Sequence, residues 1–213
     1  MVQTIALLAI PMVLAITLHE AAHGYVAKHF GDYTAYQAGR VSLNPLSHID
    51  PIGTIVIPVA LVIFTAGQLV FGWAKPVPVN FSRLRDPKRD MLWVAAAGPG
   101  ANLLMTLGWA VVFKVALLLP ANYFSYPVQE MARGGVIINL VLMVLNLVPI
   151  PPLDGGRIAV SLLPNRLAYR FAMIEPYGLF IIVALLATRV LSAVLGPVVG
   201  ACRALIYAIF GLS

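Results

Sequence analysis

His19-Glu20-Ala21-Ala22-His23 places two imidazoles four residues apart inside an apolar run. On a helix that spacing puts both rings on one face, one turn apart. Both nitrogens can then reach a single zinc ion at about 2.0–2.1 Å. Glu20, displaced about the helix axis, can take a proton from a metal-activated water. The implied chemistry is metal-assisted hydrolysis. The competing reading is a hydrogen-bonded His/Glu cluster at the end of a long helix, but ionisable groups within a membrane segment are costly and mark function by default.

A catalytic zinc usually has three protein ligands and an open position. The later carboxylates are Asp32, Asp50, Asp86, Asp90, Glu130, Asp154 and Glu175. Asp86 and Asp90 read as a solvated ion cluster with neighbouring Arg and Lys, Asp32 as a turn residue, Glu130 as part of a polar loop, and Glu175 as a helix-start residue. Asp154 stands at a break: Asn146-Leu-Val-Pro-Ile-Pro-Pro-Leu precedes it and Gly155-Gly156 follows. Non-helical backbone at membrane depth is tolerated where it is buried in protein or lines a wet cavity, and a carboxylate there calls for a cation. A helix cap is the alternative for Asp154. The runner-up ligand pair is Asp50 with His48.

The elements that position these groups are membrane segments. The chain has 213 residues, 61% hydrophobic and only 10% charged, with a mean hydropathy of +0.91. Soluble domains carry about a quarter charged residues, so the solvent of this chain is lipid. Six apolar runs approach the ~20 residues that cross a bilayer: Val2–Phe30, Ile52–Phe71, Met91–Leu119, Gly134–Pro149, Leu167–Ala187 and Leu191–Leu212. The first lacks a basic n-region and runs on past a typical signal-peptide core, so it reads as a retained helix. Residues 1–213 read as a single integral-membrane domain. The expected fold is an all-α polytopic membrane protein with a small β-hairpin and strand region. The hairpin falls over Asp32–Asp50. The strand is Gly72-Trp-Ala-Lys-Pro-Val-Pro-Val-Asn80, lying beside a cleft or forming an ordinary surface loop.

A net charge of +6 does not point to nucleic acid, because the basic residues fall between apolar runs. That pattern reports topology, since Lys and Arg collect in cytoplasmic loops. If the first helix runs inward and Ile52–Phe71 is re-entrant, ten of the fourteen basic residues share one side. If Ile52–Phe71 spans fully, the bias weakens. The single cysteine, Cys202, excludes an internal disulfide and a thiolate zinc cluster.

His19-Glu20-Ala-Ala-His23, Gly98-Pro99-Gly100-Ala101-Asn102 and the Asn146–Gly155 stretch occur in an order that resembles the site-2 protease family of intramembrane metalloproteases, peptidase family M50. Asn44-Pro-Leu-Ser-His48-Ile-Asp50-Pro and the 72–80 stretch are similar to its small bacterial branch. The resemblance implies one zinc per chain on His19, His23 and Asp154, with Glu20 as the catalytic glutamate. It implies that Asn146 holds the substrate backbone or stabilises the reacting carbonyl, and that Asn102 has a related role. The implied substrate is a transmembrane protein or peptide, met in the bilayer of a bacterial inner membrane with the site nearer the cytoplasmic side. The PDZ or CBS modules that many members carry are not expected here. The rival classes are a transporter or channel, and a zinc-bound but inactive scaffold. A transporter also uses broken helices and ionisable groups at membrane depth.

Overall fold

The computed structural model describes residues 2–64, 72–120 and 125–212. Helix α1 (Val2–His29) runs through the His19/His23 motif. A short α2 (Thr34–Gln37) follows, then a 3-10 turn (Pro45–His48), a π-helical turn (Pro51–Val56) and α3 (Ile57–Phe64). The remaining helices are α4 (Pro87–Leu118), α5 (Ser125–Asn146), α6 (Asp154–Leu162), α7 (Asn165–Ala172), α8 (Gly178–Ala187) and α9 (Val190–Phe210).

Among the described residues five stretches are long and apolar enough to cross a membrane: Leu7–His29, Pro87–Leu118, Ser125–Asn146, Asn165–Ala187 and Val190–Phe210. The protein is an integral membrane protein. Six segments were expected, and the second is described only in part. Its described part, the π-helical turn and α3, is too short to cross a ~30 Å hydrocarbon core at 1.5 Å per residue. Its continuation, and with it the choice between spanning and re-entrant, lies outside the described residues. The fifth segment is interrupted by a 3-10 turn at Glu175–Tyr177, where Pro176 withholds a backbone donor. Glu130 belongs to α5 rather than to a loop, within 3.9 Å of Arg133 one turn on.

The core is α1, α4 and α5 packed on one another, with α6 against α4 and α9 against α5. Its fully buried positions include Ala15, Ala27, Ala110 and Ala132. Lipid tails are as apolar as leucine, so helices in a bilayer associate through close backbone approach, which small residues permit. Many of the large apolar side chains, such as Ile10, Leu104 and Leu118, face outward instead, while Leu140, Val136 and Phe113 are among those that fill the core.

The described residues contain no β-strand, so the hairpin over Asp32–Asp50 is not formed. Asp32 is the reason: its buried carboxylate accepts from the Thr34 N–H at 2.9 Å and the Thr34 hydroxyl at 2.5 Å. Those bonds turn the chain into α2, which Gly39 ends at a φ of +65°, a left-handed conformation that costs glycine little. Burial alone would raise the Asp32 pKa. The donors from Thr34 and Asn80, with the Arg83 charge, outweigh it and hold the pKa below the ordinary carboxylate value.

Residues 72–80 are extended but pair with no strand. Trp73 N–H donates to Gly53 O, Lys75 N–H to His48 O, Val77 N–H to Glu20 Oε2, and Asn80 N–H to Asp32 Oδ2. Donors at 73, 75 and 77 follow the two-residue alternation of an extended chain. The segment is therefore a strap fastened along one edge to the loops after α1 and to α1 itself.

Candidate metal centre

Two helices and a Pro-rich turn create the site. α1 carries His19 and His23, α4 crosses it, and the turn after α5 delivers Asp154 to the first residue of α6. The close crossing of α1 and α4 depends on Gly98. A Cβ there would stand 2.5 Å from His19 Cε1 and from His23 Nε2. Gly155 and Gly156 serve the same end at α6, since a Cβ on either would meet the backbone of the Leu147–Pro151 turn. These glycines let Asp154 approach the histidines.

His19 Nε2 lies 3.2 Å from His23 Nε2 and 3.2 Å from Asp154 Oδ2, and His23 Nε2 lies 3.4 Å from Asp154 Oδ2. Zinc–ligand bonds of about 2.0–2.1 Å at tetrahedral angles would set ligand atoms about 3.3–3.4 Å apart. The triangle fits that ion. The proton positions point the same way. Val94 O can only accept, so His23 donates from Nδ1 across 2.7 Å. His19 Nδ1 donates to Asn102 Oδ1 at 2.6 Å, because the Asn102 amide nitrogen is turned to Asn139 Oδ1 at 3.0 Å and to Ala15 O at 3.4 Å. In the neutral imidazoles both Nε2 atoms then carry lone pairs. They converge with the buried Asp154 Oδ2, which has no hydrogen-bond partner. Three lone-pair atoms this close repel one another unless a cation lies among them. Among the described residues this is the one group of three or more His, Cys, Asp or Glu positioned to hold a metal.

Glu20 lines the same cavity of about 150 Å³, together with Val77 and Asn146. Its Oε2 accepts the Val77 N–H at 2.8 Å, so the strap fixes the carboxylate beside the triangle. Asn146 ends α5, and its Nδ2 donates to Leu142 O at 3.0 Å with one of two amide hydrogens. Asn102 lies elsewhere: it is fully buried behind His19. Asn139, also fully buried, was not singled out in the sequence. It holds Asn102 from one side and donates to Gly135 O at 2.8 Å. An asparagine amid the apolar residues of α5 was the available signal. His48 and Asp50 stand outside the cluster. His48 Nε2 donates to Ser42 O, and Asp50 Oδ1 caps the Pro51–Val56 turn through Ile52 N–H and Gly53 N–H.

The family model described as peptidase family M50 matches residues 124–188. YwhC of Bacillus subtilis, provisionally named a zinc metalloprotease, is 37% identical over 209 residues, covering 95% of this chain and 90% of YwhC. The chain belongs to peptidase family M50. Rip2 of Mycolicibacterium smegmatis, with the same provisional name, is 31% identical over 184 residues, 84% of this chain and 66% of that protein. The zinc metalloprotease MJ0392 of Methanocaldococcus jannaschii is 24% identical over 164 residues, 77% of this chain and 36% of that one. No solved structure matches the chain.

In this M50 peptidase the Asn102–Asn139 pair forms a second layer behind His19. Hydrogen bonds to the far nitrogen of a ligand histidine fix its tautomer, and losing them typically weakens metal binding about 10–100-fold. Asn102→Ala removes the carboxamide without adding bulk and leaves His19 Nδ1–H and Asn139 Oδ1 unpaired. We expect a loss of that size in zinc affinity, read by competition against a chelating dye, with the helical content retained.

Proposed function

We propose that this chain is an intramembrane zinc metalloprotease of the site-2 type, which holds one zinc ion on His19, His23 and Asp154 and hydrolyses peptide bonds within or beside transmembrane segments. The observation that carries this reading is the convergence of His19 Nε2, His23 Nε2 and the donor-less Asp154 Oδ2 beside Glu20, in a protein built from membrane-length helices. Arg157 lines the cavity, and Lys88, in the first turn of α4, donates to Leu163 O and to Asn165 Oδ1 at the junction of α6 and α7. That supports a site nearer the cytoplasmic face of a bacterial inner membrane.

A zinc ion bound there supplies Lewis acidity for the scissile carbonyl and a water acidified toward neutral pH. Glu20 would serve as the base for the attacking water and return the proton to the leaving amine. Its Oε2 is held by Val77 N–H, which leaves Oε1 for the transfer. Asn146 offers its remaining amide hydrogen to the reacting carbonyl or to the neighbouring backbone, stabilising charge as it develops. His19 and His23 keep their Nδ1 protons on Asn102 and Val94, so both rings stay oriented with Nε2 toward the metal position.

A substrate helix satisfies its own carbonyls and N–H groups, so it must unwind before it can be cut. The strap at 72–80 could receive the unwound segment by strand addition. Its donors at 73, 75 and 77 are already used, and on the opposite edge Pro76 and Pro78 have no N–H. That edge presents mainly carbonyls, to be met by substrate N–H groups.

The test is cleavage of single-span membrane substrates by protein purified in detergent. A strong chelator should abolish cutting, and about one equivalent of zinc per chain should restore it. Cleavage that survives complete zinc removal would overturn the assignment. Metal flux through reconstituted vesicles without any cleavage would favour a transporter.

A further inference from the structure

The metal-site cavity has one cationic wall that the mechanism does not use. Among the described residues Arg157 is the only lysine or arginine lining it. It follows Asp154 by three positions on α6, so the two side chains share a face of that helix. We propose that Arg157 is a specificity-determining residue: it selects substrates that carry an acidic side chain close to the segment to be cut. The proposal rests on the proteolytic reading above and deepens it.

Three observations carry it. The guanidinium is positioned by an aromatic neighbour on the same cavity wall, its central carbon 5.0 Å from the centroid of the Phe81 ring, just beyond the strap. Arginine stacked on an aromatic face is held in place while its in-plane donors remain usable. Its charge is only loosely answered. Arg157 Nη2 stands 3.6 Å from Glu175 Oε1, beyond hydrogen-bond distance, with the two side chains 35% and 49% exposed. A pair so exposed and so long contributes little, so an incoming carboxylate can replace it at small cost. Finally, Arg157 lies in the first turn of α6, the helix end that favours anions over cations. A second negative group would relieve that mismatch. A substrate carboxylate could also engage the guanidinium fork with two parallel bonds, which the Glu175 contact does not do.

Glu175 then acts as the resident competitor, covering Arg157 when no substrate is bound. The opposite possibility is a latch, in which Arg157 only ties α6 to the turn before α8. The two predict different outcomes. A latch is weakened alike by loss of either partner, whereas a competitor, once removed, leaves the selecting residue more available.

Binding is measured in the Glu20→Gln protein, loaded with zinc in detergent, so that no cleavage is needed for the readout. The ligands are labelled, C-terminally amidated single-span peptides in which Asp, Gln or Lys is walked through the residues around the unwound segment. At one register the Asp peptide should bind about fivefold tighter than its Gln counterpart. Arg157→Gln should erase that ratio, Arg157→Lys should keep part of it, and Arg157→Glu should turn the preference toward Lys. Glu175→Gln should raise the Asp preference. Zinc content and a thermal melt on each variant separate misfolding from lost selection. Equal binding of Asp and Gln peptides at every register would overturn the proposal, as would a Glu175→Gln variant that loses selectivity like Arg157→Gln. Absence of cleavage in wild type, with Asp selection intact, would count against the proteolytic reading and not against Arg157.

Discussion

Glu20→Gln protein is expected to keep its zinc and its fold while cleavage falls by about 10³-fold or more, within the range that loss of a positioned general base produces. Glutamine matches glutamate in shape, and its amide oxygen can still accept the Val77 N–H that now reaches Glu20 Oε2 at 2.8 Å. The strap should therefore stay in place. His19, His23 and Asp154 are untouched, so elemental analysis should find zinc as in wild type. What disappears is the proton acceptor beside the triangle. A rate equal to wild type would remove Glu20 from the mechanism. Loss of zinc along with activity would instead make Glu20 part of the metal's support.

Gly98→Ala should be as damaging by a different route. The added methyl would lie 2.5 Å from His19 Cε1 and His23 Nε2, and 2.6 Å from His19 Nε2. No imidazole tolerates carbon at that distance, so either both rings leave the triangle or α4 backs away from α1. Separation would also stretch the bond from His23 Nδ1 to Val94 O and that from His19 Nδ1 to Asn102, both anchored on α4. Overpacking of this kind costs about 1–3 kcal/mol, and with the ligands displaced we expect zinc affinity to drop on the order of 10²-fold or more. Gly100→Ala is the matched control: nothing lies within 4 Å of a Cβ at that position. Zinc content and thermal melts of the two variants, compared directly, check the claim. If Gly98→Ala binds zinc like Gly100→Ala, the close approach is not required.

The chemistry of the site was legible in residue type and spacing. His19, Glu20 and His23 are local in sequence, and helical periodicity alone puts the histidines on one face. Asp154 could be read because prolines and glycines forbid a helix around it, and a broken backbone among apolar runs needs a reason. The membrane setting followed from composition, which is a sum over residues and needs no contacts. Only the tertiary structure decided how these pieces meet. Asn102 and Asn139 lie 37 residues apart and join behind His19 because α4 and α5 pack side by side. The place of Gly98 is a property of the α1–α4 crossing, which no periodicity encodes. The strap reached Glu20 through its own backbone N–H, a group every residue but proline has, so its sequence carried no mark of that bond. The expected hairpin failed for a related reason. Alternation over Asp32–Asp50 is a weak local preference, while the Asp32 carboxylate, held between Thr34 and Asn80, stabilises a helical turn that alternation cannot override. Sequence determined which groups are present and which can share a helix face. Close approach between helices, set by where the backbone lacks side chains, decided which of them form one site.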